Sequence, residues 1–260
     1  MVVTTRPARF DGRSPGTAES TWAAAVLADR ATSLETARYR RLVVVSAHPD
    51  DETLGAAGLI ARLQARGADV DVLVATDGEG SHPDSPTTSA AAIGTLRRDE
   101  MTRATAHLAP GATIDRLGLP DGHLADHEDE LATAVGRLLD GGATTLVAAP
   151  WRADGHPDHE AVARAVARAA HRSGAALVEF PIWAWLWATP DDPRLRPDHL
   201  LVLRLDEREW QCKQRAIAEH RSQIASLGDD PGDRTVLTPT FLEHFRRRYE
   251  IFVPAGGVEA

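Results

Sequence analysis

The chain holds one cysteine, Cys212, in 260 residues. No internal disulfide can form, which suits a reducing compartment, and a cytoplasmic protein is the expectation. Positive charge is in short supply, with 29 Lys and Arg against 38 Asp and Glu for a net charge of -9. No basic run is long enough to make a continuous phosphate-binding face, so nucleic acid is not expected as a partner. Long apolar runs are missing as well. Leu177 to Ala188 is interrupted by Glu179 and Pro181, short of the roughly 18 residues that a membrane span requires. Within the first thirty residues the best apolar stretch, Ala23 to Ala28, stops at Asp29, so no export signal is expected. Internal repeats, low-complexity tracts and linkers are also absent. What is present is ordinary for a soluble globular chain, 43% hydrophobic and 26% charged residues, at a length that buries a full core without staples.

Met1 to about Thr32 mixes Pro7, Gly12, Pro15 and Gly16 with scattered charges and reads as a loose arm, with one helical turn around Trp22 to Leu27. Residues 33–260 read as one domain. From Arg41 onward, β-branched runs alternate with stretches of helical period. Strands are expected at Leu42–Val45, Val70–Ala75, Thr113–Leu117 and Thr145–Ala149, and helices at Leu54–Arg66, Ala90–Leu108, Ala125–Leu139 and His159–Arg172. That alternation predicts an α/β fold with a mostly parallel, doubly wound sheet of Rossmann-like type. After Ala176 the rhythm loosens into a C-terminal extension. It comprises Leu177 to Trp187, a strand at Leu200–Leu205, a helix at Glu207–Ser222, and a final loop, helix and short strand.

In open α/β sheets, ligands bind beyond the carboxyl ends of the strands, and the polar residues concentrate there. After the first strand comes Ala47-His48-Pro49-Asp50-Asp51-Glu52; after the strand ending near Ala149 comes Gly155-His156-Pro157-Asp158-His159-Glu160. Both loops would lie at one sheet edge, so His48, Asp51 and His159 could meet around a single cation, as the His₂-acid set of hydrolytic zinc sites does, with a position left for water. Such a metal lowers the pKa of water and polarises the carbonyl under attack. Asp50 is then the candidate general base. His156, protonated, is the candidate oxyanion stabiliser and acid to the leaving amine, and Asp158 the carboxylate that orients or charges a histidine. Helix capping alone would account for Asp51-Glu52 before an apolar helix. Two His-Pro-Asp loops at equivalent strand ends go beyond that.

These two motifs resemble the signatures of the LmbE-like family, also called PIG-L, which comprises zinc-dependent N-acetylglucosamine deacetylases and related amidases. The likeness runs in order from about Leu42 to about Gln223. It implies zinc held by His48, Asp51 and His159, Asp50 as general base, and His156 as acid and oxyanion stabiliser. Ferrous iron or cobalt would suit the same donors. Arg97, in Arg97-Arg98-Asp99-Glu100, resembles a family arginine that reaches the sugar, and Asp121, in Leu117 to Gly122, an aspartate that holds sugar hydroxyls. An ion pair on an exposed helix face and a plain Pro-Asp-Gly turn would explain the same residues. His220-Arg221-Ser222-Gln223 resembles a family segment approaching the pocket.

The resemblance thus implies a hydrolase that removes an N-acetyl or other N-acyl group, cutting a linear amide bond in a small amino-sugar substrate. The acyl group, the aglycone and the oligomeric state stay open. A rival from another class is a metal-stabilised sugar-binding or regulatory module without turnover, and a third reading is an amidase acting on a thiol or glucosaminide conjugate. Trp183, Trp185 and Trp187 alternate, so in an extended segment they would share one face and form a stacking platform, although core packing explains such residues more often. Asp77, in Thr76 to Gly80, would also face the site edge.

Overall fold

The computed structural model describes residues 16–139 and 142–256. In chain order the helices are α1 (Glu19–Ala24), α2 (Leu27–Arg30), α3 (Asp51–Ala65), α4 (Ala90–Leu108), α5 (Glu128–Leu138), α6 (Pro157–Ser173), α7 (Ala184–Trp187), α8 (Glu207–Glu219), α9 (Arg221–Ile224) and α10 (Pro239–Leu242). The strands are β1 (Thr32–Ser33), β2 (Arg41–Ser46), β3 (Asp69–Val74), β4 (Thr113–Arg116), β5 (Thr145–Pro150), β6 (Ala176–Phe180), β7 (Leu201–Arg204) and β8 (Tyr249–Gly256). They form one sheet in the order β1-β7-β8-β6-β5-β2-β3-β4. The fold is mixed α/β, and most neighbours are parallel. β8 alone runs against its neighbours, pairing antiparallel with both β6 and β7.

The central strands are buried on both sides because successive side chains feed opposite cores. Leu42 and Val44 of β2 join Val72, Leu146 and residues of α3, α4 and α8 in one cluster. Val43 and Val45 join Val147, Leu177 and residues of α5 and α6 in the other. Helix α3 lies close on the sheet at Gly55, where a Cβ would come within 2.0 Å of the Phe180 ring. That close approach fixes the loop leading into α3. β2 sits between β3 and β5, so the chain winds away from β2 in both directions. The ends of β2 and β5 therefore flank the crevice where α/β sheets place their ligands.

The expected elements appear with shifted ends. α3 begins at Asp51 and α6 at Pro157, so Asp51 and His159 stand in first helical turns. A 3₁₀ turn, Leu124–His127, replaces the first turn of the expected helix at Ala125. The expected helix from Glu207 to Ser222 breaks at His220, whose ring bonds Thr53 Oγ1 at 3.1 Å. The arm read through Thr32 packs well before that residue. Trp22 is fully buried and its Nε1 donates to the Trp185 carbonyl at 2.9 Å, while β1 pairs with β7. The first fifteen residues of that arm lie outside the described residues. No helix among the described residues is long and apolar enough to cross a membrane.

Candidate active site

Sequence and backbone strain build the first loop together. Asp50 carries φ 136°, a conformation side chains of L-residues rarely adopt and one that costs about 1–3 kcal/mol where it persists. The strain is held in place by hydrogen bonds. The Asp50 carbonyl accepts from Thr53 N and Leu54 N at the start of α3, and Asp51 Oδ2 accepts from the backbone N–H groups of Ala47 and His48, both at 2.9 Å. In the second loop, His156 caps α6, its Nδ1 accepting the Asp158 N–H at 3.2 Å.

The sheet brings the two loops face to face. His159 Nε2 stands 3.3 Å from Asp51 Oδ1, and His48 Nδ1 is 3.9 Å from Asp51 Oδ2. One donor atom from each of His48, Asp51 and His159 lies within 4.8 Å of the others. A second such group, His48, His156 and Asp158, shares His48, but Asp158 is engaged elsewhere: its oxygens accept from Gly122 N at 2.8 Å and Leu124 N at 3.1 Å. In the first group His159 Nε2 is buried with no hydrogen-bond partner, while its Nδ1 meets Asp154 Oδ2 at 2.7 Å. A buried ring nitrogen whose bonding capacity no protein group meets is costly unless a ligand meets it. The set therefore fits a divalent ion with nitrogen and oxygen ligands.

The electrostatics agree. Burial disfavours a charged His159, but Asp51 and Asp154 outweigh it and raise its pKa to about 10. Burial likewise opposes a charged His48, and hydrogen bonds to Asp121 and Asp158 raise it to about 9. Protons thus occupy the metal-free site, and an ion entering it would displace them. Burial pushes the Asp50 carboxyl up to about 6 against the pull of Arg97, close to what a base working near neutrality needs. Burial, with His159 and His48 nearby, holds His156 well below its ordinary value. Its ring is accordingly neutral at rest, a difference from the protonated state expected from sequence.

Arg97 is buried inside the site and does not lie on an exposed helix face. Its guanidinium is 3.2 Å from Asp50 Oδ2 and donates to the carbonyls of Gly78 and Pro49. Asp121 Oδ1 lies 3.0 Å from His48 Nε2, and its Oδ2 accepts from Gly80 N. Asp158 meets His48 Nε2 at 3.2 Å, so the histidine side chain it contacts is His48. Asp50, His48, Arg97, Asp121 and His156 all line one cavity of about 340 Å³. Gln223 lines it too, and the neighbouring Ser222 bonds Glu100 through both N and Oγ. Asp77 pairs instead with Arg98.

The tryptophan segment is not an extended platform. Residues 184–187 are helical, so the three rings point to different partners: Trp183 stacks on Phe241, Trp185 meets Trp22 edge-on, and Trp187 stacks on Trp151. Of the three, Trp183 lines the cavity. Asp154, fully buried behind His159, was missed by sequence reasoning. Its only signal there was an acidic residue two positions before His156.

Comparison with known proteins follows the same lines. A Rhodococcus opacus (strain B4) protein named 1D-myo-inositol 2-acetamido-2-deoxy-alpha-D-glucopyranoside deacetylase is 34% identical over 174 residues, 64% of this chain and 51% of that protein. The chain thus matches about half the length of that relative. A Bacillus subtilis (strain 168) protein named probable N-acetyl-alpha-D-glucosaminyl L-malate deacetylase 2 is 33% identical over 190 residues, 72% of this chain and 84% of that one. The solved N,N'-diacetylchitobiose deacetylase from Pyrococcus horikoshii shares the fold, with a TM-score of 0.58 at 19% identity over 82% of each chain. The chain belongs to the PIG-L, or LmbE-like, family, whose model, described as GlcNAc-PI de-N-acetylase, matches residues 43–170.

Proposed function

We propose that this chain is a metal-dependent hydrolase that removes an N-acetyl group from a glucosamine-containing small molecule. The observation that carries the reading is the convergence of His48, Asp51 and the fully buried His159, whose Nε2 has no hydrogen-bond partner, at a cavity lined by His48, Asp51, Asp50 and His156. The names of the relatives support the amino-sugar class. The parallel strands on either side of β2 support reading the winding as Rossmann-like.

His48, Asp51 and His159 would hold the ion, with zinc the first choice and ferrous iron or cobalt suited to the same donors. When bound, it supplies Lewis acidity to the amide carbonyl and acidifies the attacking water. Asp50, beside these ligands, takes the proton from that water. Its ionisation near neutrality is set by burial against Arg97. With Nδ1 accepting from Asp158 N, the neutral His156 ring carries its proton on Nε2 and donates it in a hydrogen bond to the developing oxyanion. The proton that Asp50 takes up is the one the leaving amine needs. Relayed to His156, which burial makes a weak base and therefore a strong acid once protonated, it passes from the ring to the amine and leaves Asp50 ionised and the imidazole neutral again. Arg97 keeps Asp50 in place, and Asp121 and Asp158 hold His48. The cavity, at about 340 Å³, falls within the range of small-ligand sites.

The test is acetate release from a panel of N-acetylglucosaminides by zinc-restored protein. Release that disappears in Asp50→Ala while bound zinc remains is the expected result. No release from any member of the panel by well-folded, zinc-loaded protein, with sugar binding intact by calorimetry, would leave a binding module in its place.

A further inference from the structure

We infer that Asp154 is a positioning residue that fixes the ring of His159 for metal binding and ties the metal site to the cavity wall at residues 182–187. The inference rests on the reading of His48, Asp51 and His159 as metal ligands. Asp154 is fully buried, and four N–H groups converge on its two oxygens. Oδ1 accepts from Ile182 N at 2.8 Å and Ala184 N at 3.0 Å; Oδ2 accepts from Trp183 N at 3.0 Å and from His159 Nδ1 at 2.7 Å. A carboxylate only accepts, so Nδ1 keeps its proton, and the proton that an entering ion displaces is the one on Nε2, which frees the lone pair of that atom for the metal. Nε2 is the atom left without a partner beside Asp51. A carboxylate behind a ligating histidine sets the tautomer and orientation of the ring in this way.

The same residue fastens the cavity wall. Three consecutive backbone N–H groups, from Ile182 to Ala184, end on it, and Ile182 and Trp183 both line the reaction cavity. Its main chain contributes as well, because the Asp154 carbonyl accepts from Trp187 Nε1 at 2.7 Å. The next residue, Gly155, has φ +88°, and a Cβ there would come within 2.8 Å of that same Nε1. The loop carrying the metal ligand and the segment facing substrate therefore share one anchor.

The experiment is zinc affinity by competition with a chromophoric chelator, for the wild-type chain and Asp154→Asn. The amide has the same shape, but its NH2 must face two of the four N–H groups. Turned toward His159, it asks Nδ1 to become an acceptor and moves the ring proton to Nε2, where the ion belongs. Zinc binding should weaken about 10- to 100-fold, and the amides of 182–184 should exchange hydrogen faster. A folded Asp154→Asn variant binding zinc within twofold of wild type would overturn the inference while leaving the metal site standing. Should the variant not fold, ¹⁵N NMR of the zinc-loaded wild type decides: a proton on His159 Nδ1 sustains the inference, and a ring that binds zinc through Nδ1 overturns it. Failure of the wild-type chain to take up zinc would remove the metal reading itself, and this inference with it.

Discussion

Helix α3 carries two buried charge clusters that behave in opposite ways. Against its middle, Glu250 Oε1 accepts from Gly58 N and from Lys213 Nζ, both at 2.8 Å, and Oε2 accepts from Leu59 N at 3.0 Å. Lys213, the only lysine in the chain, also donates to the Leu54 carbonyl. Every charge there is answered, as a buried ion pair must be if it is not to destabilise the fold. At the first turn of the same helix, Asp50, Asp51 and Glu52 crowd together. Burial lifts Asp50 to about 6 and Glu52 to about 7, and His159 Nε2 is left without a partner. One cluster is closed and structural. The other keeps unspent bonding capacity, which is where a fold can hold chemistry.

Removing a ligand from the open cluster should have the largest effect. His159→Ala should abolish both metal uptake and turnover, as metal analysis alongside acetate release would show, whereas His156→Ala should lower turnover and keep the metal. The opposite pattern would exchange the two assignments. Asp50→Ala should keep the metal and lower kcat by about 10²- to 10⁴-fold, the ordinary worth of a general base.

In the closed cluster, Glu250→Ala strands Lys213 without its counter-charge, at a cost of about 3–5 kcal/mol. Denaturant unfolding should show that loss with zinc stoichiometry unchanged. If metal uptake failed with it while the chain stayed folded, the two clusters would not be separable.

Arg97→Met sharpens the comparison further. The guanidinium lowers the Asp50 pKa, so its removal raises it, and the acid limb of the pH–rate profile should move to higher pH by about one unit or more. A limb that stayed in place would mean that another group sets it.

The smallest effect belongs to a third charged group. Burial opposes ionisation of Glu19, but hydrogen bonds from His244 and Arg247 outweigh it and lower its pKa. A carboxyl with a lowered folded-state pKa stabilises the fold above its ordinary value, and that contribution disappears as pH falls through the lowered one. Glu19→Gln should therefore flatten the acid side of the stability curve. Solvent screening keeps the change below about 1 kcal/mol.

Much of the site is legible in the sequence, because the residues proposed as metal ligands, base and acid sit in two short motifs. Their spacing relative to the strands already implied a shared edge. Ala90–Leu108 emerges as expected, since Ser89 caps it and Ile93, Met101, Ala104 and Leu108 recur at helical spacing along its buried face. Other features depend on partners far along the chain. Trp22 is buried by a residue 163 positions away, and the antiparallel insertion of β8 between β6 and β7 has no local signature. The alternation of Trp183, Trp185 and Trp187 suggested a strand because period two is legible locally, but the N–H groups of Ile182, Trp183 and Ala184 end on Asp154 and the chain turns into a helix there.

Residue type and hydrophobic period are local properties, so the sequence alone shows which polar side chains cluster after parallel strands and are candidates for the chemistry. Which of them touch emerges only from the folded chain. It turned Arg97 inward onto Asp50, gave Asp158 to His48, and set Asp154 behind His159. Those choices depend on which strands become neighbours and on where buried N–H groups find acceptors, and both are settled by packing across the whole sheet.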